Sequence, residues 1–226
     1  MTSTTTPQPI SVVVLISGSG SNLQAIIDAT LNNELPISIS AVISNRPDAK
    51  GLQRAQNANI ETRIVDHKDF PDRDVFDAEL KLCIDSFSPD LVVLAGFMRI
   101  LTKDFVEHYS GRMLNIHPAL LPNFPGLNTH ERALESGVEQ HGASVHFVTT
   151  EVDGGPIVLQ ANVDVLDNDD ADILAARVLE KEHLIYPLAI KWYAEGRLTF
   201  KDNQLLLDDS PLPATGINYA DDKANN

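Results

Sequence analysis

A single cysteine, Cys83, stands among 226 residues, so no internal disulfide can form. It lies between Leu82 and Ile84 on an apparent helix, which reads as a buried thiol in a reducing cytoplasm. Basic residues are scarce. The 17 Lys and Arg face 32 Asp and Glu, and the formal charge of −15 opposes binding to a nucleic-acid backbone. No apolar run approaches the roughly 20 residues that cross a bilayer, so no membrane partner is expected. The opening MTSTTTPQPI has neither basic residues nor an apolar core, which excludes a secretory signal. Seven histidines are present, yet none falls in H-E-x-x-H or Cys/His ligand spacing, and no metal is expected. An anionic substrate would need local donors that overcome an unfavourable overall field.

What is present is the patterning of one α/β domain. Apolar residues make up 43% of the chain, enough for a sizeable core. Buried strands are predicted at Ser11–Ser17, Ile37–Ser44, Ile60–Val65 and Leu91–Ala95, with helices at Ser21–Asn33, Ala49–Ala58, Asp72–Phe87 and Lys103–Tyr109. A strand pair follows at Ala143–Thr149 and Pro156–Val163, then a long helix, Asp170–Gly196, expected to break near Pro187. Strands alternating with helices imply a three-layer fold with a mostly parallel twisted sheet and ligands at the carboxyl ends of its strands. The domain is read over residues 10–212, with 1–9 and 213–226 as flexible termini because they are polar and poor in apolar residues.

The most informative stretch is Leu114 to Asn123, LNIHPALLPN. Residues two apart on a strand share a face, so Asn115 and His117 look into one space just before Pro118 ends the pairing. A neutral amide donor and a titratable imidazole suit chemistry at a carbonyl, although the same pair could simply close a loop. After the first strand comes Ser17-Gly18-Ser19-Gly20-Ser21-Asn22. With Ser21 as N-cap and Gln24 closing a capping box, the helix start would offer free N–H groups to an anion. The alternative is an ordinary strand–helix turn. Leu23 stands where a dinucleotide fingerprint needs its third glycine, and the Gly-Lys-Ser/Thr of a P-loop is missing.

Met98-Arg99-Ile100-Leu101, after the Leu91 strand, reads as packing or as an apolar slot for a flat heterocycle. Asp153, in Glu151-Val-Asp-Gly-Gly-Pro156, is a turn cap or a carboxylate partner for His117. Four of the remaining histidines, His130, His141, His146 and His183, read as structural or peripheral.

In this order and spacing, SGSGSN, GFMRIL, NIHP and DGGP resemble the folate-dependent formyltransferases, in particular the phosphoribosylglycinamide formyltransferases, over roughly residues 11 to 200. The resemblance implies a Rossmann-like fold and formyl transfer from 10-formyltetrahydrofolate to the amine of glycinamide ribonucleotide, a step of de novo purine biosynthesis. It assigns Asn115, His117 and Asp153 to catalysis, with His117 cationic beside Asp153. It assigns Gly20, Ser21, Asn22 and Glu182 to the ribonucleotide, and Arg73, Met98, Arg99, Ile100, Leu101 and Asn115 to the folate. Ser19 stands where relatives often carry Asn, and Ala119 where they often carry Ser. Rival readings are a 10-formyltetrahydrofolate hydrolase, whose acceptor is water and needs no phosphate loop, and a non-catalytic nucleotide-binding module. A methionyl-tRNA formyltransferase would need a further basic domain, whereas the chain here turns short and acidic after Gly196.

Overall fold

The protein is described by a computed structural model over residues 8–201 and 204–222. Strands β1 (Ile10–Ile16), β2 (Ile37–Ser44), β3 (Thr62–Ile64), β4 (Leu91–Leu94), β5 (Met113–His117), β6 (Gln140–Phe147) and β7 (Ile157–Asp164) lie in one sheet. A separate antiparallel sheet of three short strands follows, β8 (Leu198–Lys201), β9 (Gln204–Leu207) and β10 (Ser210–Pro211). The chain then returns to the first sheet as β11 (Ile217–Asn218), giving eight strands in the order β11-β7-β6-β5-β4-β1-β2-β3. Pairing is parallel from β3 across to β5, then antiparallel through β6 and β7.

Alternation along β1 divides the core. Val12, Val14 and Ile16 pack on one face with α1 (Ser21–Leu31), α2 (Lys50–Asn57), α5 (Thr129–Ser136) and α6 (Ala171–Ala194). Val13 and Leu15 pack on the other with α3 (Arg73–Asp85) and α4 (Lys103–His108). Both faces of the central strands are covered, which is why they read as continuous apolar runs. The expected three-layer, mostly parallel architecture is the observed one.

Three expectations are corrected. The long helix does not break: α6 runs 24 residues straight through Pro187. Ile185, Tyr186, Ala189 and Ile190, on both sides of the proline, are fully buried, and this packing outweighs the one backbone bond that proline cannot make. The Tyr186 hydroxyl also reaches the carbonyls of Leu94 (2.9 Å) and Leu114 (3.0 Å), fastening α6 beneath β4 and β5.

Second, Ser21 is not an N-cap. Gly20 holds that position at φ 71°, no side chain caps the helix, and the Gln24 amide donates to Asp28 instead. Third, the chain beyond Leu212 does not all lie off the domain. Residues 217–218 extend the sheet beside β7, and the short α7 (Tyr219–Asp222) follows. Ile217 and Tyr219 pack against the main core. Gly216 makes the approach possible, at φ 68° with no room for a side chain over Ile157 and Val158. Residues 1–7 and 223–226, which carried the rest of the expectation for the termini, lie outside the described residues.

Ending the chain after Pro213 should therefore lower Tm by about 2–6 °C, as expected for the loss of roughly 1–2 kcal/mol in a domain of this size, with kcat unchanged. An unchanged Tm in a thermal melt would show that β11 adds nothing to the core.

Candidate active site

The carboxyl ends of β1, β2, β4 and β5 open on one edge of the sheet, because these strands are parallel. The loop after β1 and the loop after β4 meet there around a cavity of about 390 Å³. Ser17 through Asn22 line it, with Met98 and Arg99 opposite and Asn45, Arg46 and His67 contributed by the β2 and β3 ends. The Ser17 hydroxyl ties the walls together, donating to the Asn45 side-chain oxygen (2.6 Å) and accepting the Met98 N–H (2.8 Å).

Gly20 is dictated by packing as well as by conformation. Besides its positive φ, a Cβ there would lie 2.6 Å from the Gly51 Cα of α2. Gly18 lines the cavity and has no atom within 4 Å of an added Cβ. Arg54 of α2 braces the loop from behind, donating to the Ser19 carbonyl at 2.8 Å. The uncapped start of α1 thus faces the cavity with a cation nearby, an arrangement that suits an anion in an otherwise acidic chain.

Asn22 and Glu182 were assigned separately to the substrate, and the structure brings them together. The Asn22 amide donates to Glu182 Oε2 at 2.6 Å, linking the loop after β1 to α6. Burial pushes the Glu182 carboxyl up, and the Asn22 bond only partly opposes this. Of the apolar loop, Met98 and Arg99 line the cavity, Leu101 packs into the second core, and Ile100 is exposed. The four residues therefore do not form one slot. Arg73 is exposed at the first turn of α3.

Asn115, His117 and Asp153 lie one strand further along the edge, outside the cavity lining. His117 is almost buried, its Nε2–H donating to the Phe124 carbonyl at 2.9 Å while Nδ1 faces Asp153 Oδ2 at 3.4 Å. Asp153 and Phe124 both have positive φ, 52° and 53°, and Phe124 is the only bulky residue so strained among the described residues. Both groups that hold the imidazole therefore sit in the left-handed region.

The expectation of a cationic His117 is corrected. Burial pushes its pKa below the ordinary value, and the Phe124 carbonyl and Asp153 only partly counteract it. The Asp153 carboxyl moves the opposite way to what burial alone would do. The Gly126 N–H, donating to Asp153 Oδ2 at 2.8 Å, helps hold it below the usual range against the push of burial. At neutral pH the pair is an ionised carboxylate beside a neutral ring whose Nδ1 lone pair awaits a proton. Protonation there would give the ring acceptors at both nitrogens.

His146 is the residue that sequence reasoning set aside and the structure places in the cluster. It lies opposite Asn115 across the β5–β6 pair, its Nε2 3.1 Å from the Asn115 amide nitrogen and 3.6 Å from Asp153 Oδ1. Its Nδ1–H donates to the Phe147 carbonyl, so Nε2 accepts from Asn115 and fixes which way that amide points. His130 and His141 sit behind Phe124 with ring centroids 5.2 Å apart, and burial pushes His141 down to about 4.

A three-layer α/β sheet with an anion loop, an amide donor and a buried His–Asp pair at its carboxyl edge defines an enzyme that works at a carbonyl of a phosphorylated substrate. The Formyl transferase family pattern matches residues 10–190, and the chain belongs to that family. The phosphoribosylglycinamide formyltransferase of Escherichia coli (strain K12) is 55% identical over 214 residues, covering 95% of this chain and 100% of the relative. Its counterpart from Haemophilus influenzae is 49% identical over 205 residues, covering 91% and 97%. Among solved structures, phosphoribosylglycinamide formyltransferase from Coxiella burnetii superimposes with a TM-score of 0.90 at 53% identity, covering 93% of this chain and 99% of that one.

Proposed function

We propose that Asn115, His117 and Asp153 are the catalytic groups of a phosphoribosylglycinamide formyltransferase. The chain transfers the formyl group of 10-formyltetrahydrofolate to the amine of glycinamide ribonucleotide, within purine biosynthesis and in the cytoplasm. The observation that supports this reading most is the buried His117–Asp153 pair beside Asn115, on the same sheet edge as the Gly18–Asn22 loop.

In this reading the phosphate of the ribonucleotide rests on the backbone of Gly20, Ser21 and Asn22, and Glu182 receives the glycinamide end. The folate ring lies along the backbone of residues 98–101, beside the Met98 and Arg99 side chains, with Arg73 at the outer end of the site. The substrate amine attacks the formyl carbon, and the carbonyl oxygen becomes an oxyanion. Asn115 has two amide hydrogens. One is committed to His146, and the other is free to donate to that oxygen. His117 takes up the proton released as the new C–N bond forms, its charge then balanced by Asp153. The intermediate collapses as the bond from carbon to the folate nitrogen breaks, and the proton passes from His117 to the departing nitrogen. No nucleophile from the protein is needed. The formyltransferase domain, read over residues 10–212, is proposed to include β11 as well.

Consumption of 10-formyltetrahydrofolate, followed with and without glycinamide ribonucleotide, tests the reaction class. The transferase reading expects turnover only with the amine. Equal turnover in water alone would assign a hydrolase, and no turnover in either case a binding module.

A further inference from the structure

α3 grips the end of the loop that follows β4 through a carboxylate that none of the site assignments uses. Asp77 is 2% exposed, and its Oδ2 accepts the Thr102 N–H at 2.5 Å. Thr102 is the N-cap of α4, so this bond fixes the point at which the loop passes into the helix. The neighbouring Phe76 lies under the Arg99 guanidinium, 5.7 Å from ring centroid to the guanidinium carbon. At its other end the loop is held by the Ser17 hydroxyl on the Met98 N–H. Residues 98 to 102 are therefore held at both ends by side-chain acceptors, the Ser17 hydroxyl and the Asp77 carboxylate.

A carboxylate buried this deeply is costly unless its position is useful. Burial pushes the Asp77 carboxyl up, against the pull of Thr102, Arg73 and Arg99. Asp77 Oδ1 and Arg99 Nε are both buried without hydrogen-bond partners. An apolar residue would remove that penalty but leave the buried Thr102 N–H without an acceptor, so the acid is tied to the placement of residue 102.

We propose that Asp77 is a positioning residue for the folate-binding loop, setting the backbone of residues 98–101 through its bond to Thr102. The proposal rests on the reading that this loop meets the folate. It predicts an effect on the donor substrate and not on the ribonucleotide, whose loop is built from β1 and α1.

Asp77→Ala should raise the KM for 10-formyltetrahydrofolate roughly tenfold, the worth of one hydrogen bond to a charged group, with the KM for glycinamide ribonucleotide within about twofold. Asp77→Asn keeps an oxygen for Thr102 and should recover most of that loss. A role in stability alone would lower Tm and the active fraction and leave both KM values in place. If Asp77→Ala does not fold, Thr102→Pro removes the same N–H at a residue whose φ of −71° suits proline, and the same donor KM rise is expected. An unchanged donor KM, an equal rise in both KM values, or no recovery in Asp77→Asn would overturn the proposal. Ile100→Glu separates this from the loop reading. If it raises donor KM while Asp77→Ala does not, the loop reading stands and the proposal alone fails. If neither does, both fail.

Discussion

Replacing Asp153 with Asn is expected to lower kcat by roughly 10²–10⁴-fold while changing either KM far less, the range and pattern of a proton-transfer group that acts mainly in the transition state. The side chain keeps its size, and Asn tolerates the left-handed backbone found at this position, so the turn should survive. What changes is the partner offered to His117. The carboxylate at 3.4 Å attracts a proton to Nδ1, whereas an amide N–H would donate to that lone pair and lock the ring neutral. The sign follows from this. The Asp153 charge raises the His117 pKa, so removing it shifts the acidic limb of the pH–rate profile to lower pH. His117→Asn should be comparably severe. The double variant should cost less than the sum of the two, because each single change already breaks the pair. Near-normal kcat in Asp153→Asn, or strictly additive losses, would return Asp153 to the role of a turn cap.

Filling the space above Gly18 should strongly weaken ribonucleotide binding with little loss of stability. Gly20 is the more obvious target, but any side chain there collides with Gly51 and is strained at φ 71°, so a defect would mix folding with binding. Gly18 has an ordinary backbone and nothing within 4 Å of an added Cβ, and it lines the cavity. Gly18→Val should raise the KM for glycinamide ribonucleotide about a hundredfold, corresponding to two lost charge-assisted hydrogen bonds, with Tm nearly unchanged. The KM for 10-formyltetrahydrofolate should move little. Normal ribonucleotide binding in this variant would show that the loop is only a turn.

The central strands, their parallel arrangement and the Asn115–His117 pair were legible because they depend on local signals, apolar runs and a period of two. The order that sets β4 beside β1 is a tertiary result that such runs do not encode. His146 was not legible in the same way. Thirty-one residues separate it from Asn115, and only the antiparallel register of β5 and β6 sets them opposite each other. The Asn22–Glu182 bond spans 160 residues and depends on how α6 packs across the sheet, which no spacing encodes. The short strands β8 to β10 are two to four residues long, below the length at which alternation carries a signal. The carboxylate partner of His117 is visible in the motif, whereas the burial that lowers its pKa depends on packing that no motif encodes.

The most direct measurement is the fate of a ¹³C-labelled formyl group carried on 10-formyltetrahydrofolate, followed by NMR in the presence of excess glycinamide ribonucleotide. The label is expected in the formamide carbon of the ribonucleotide product, with none released as formate, and His117→Asn is expected to slow its appearance without diverting it. Release of the label as formate at the same rate whether or not the amine is present would contradict formyl transfer at this site.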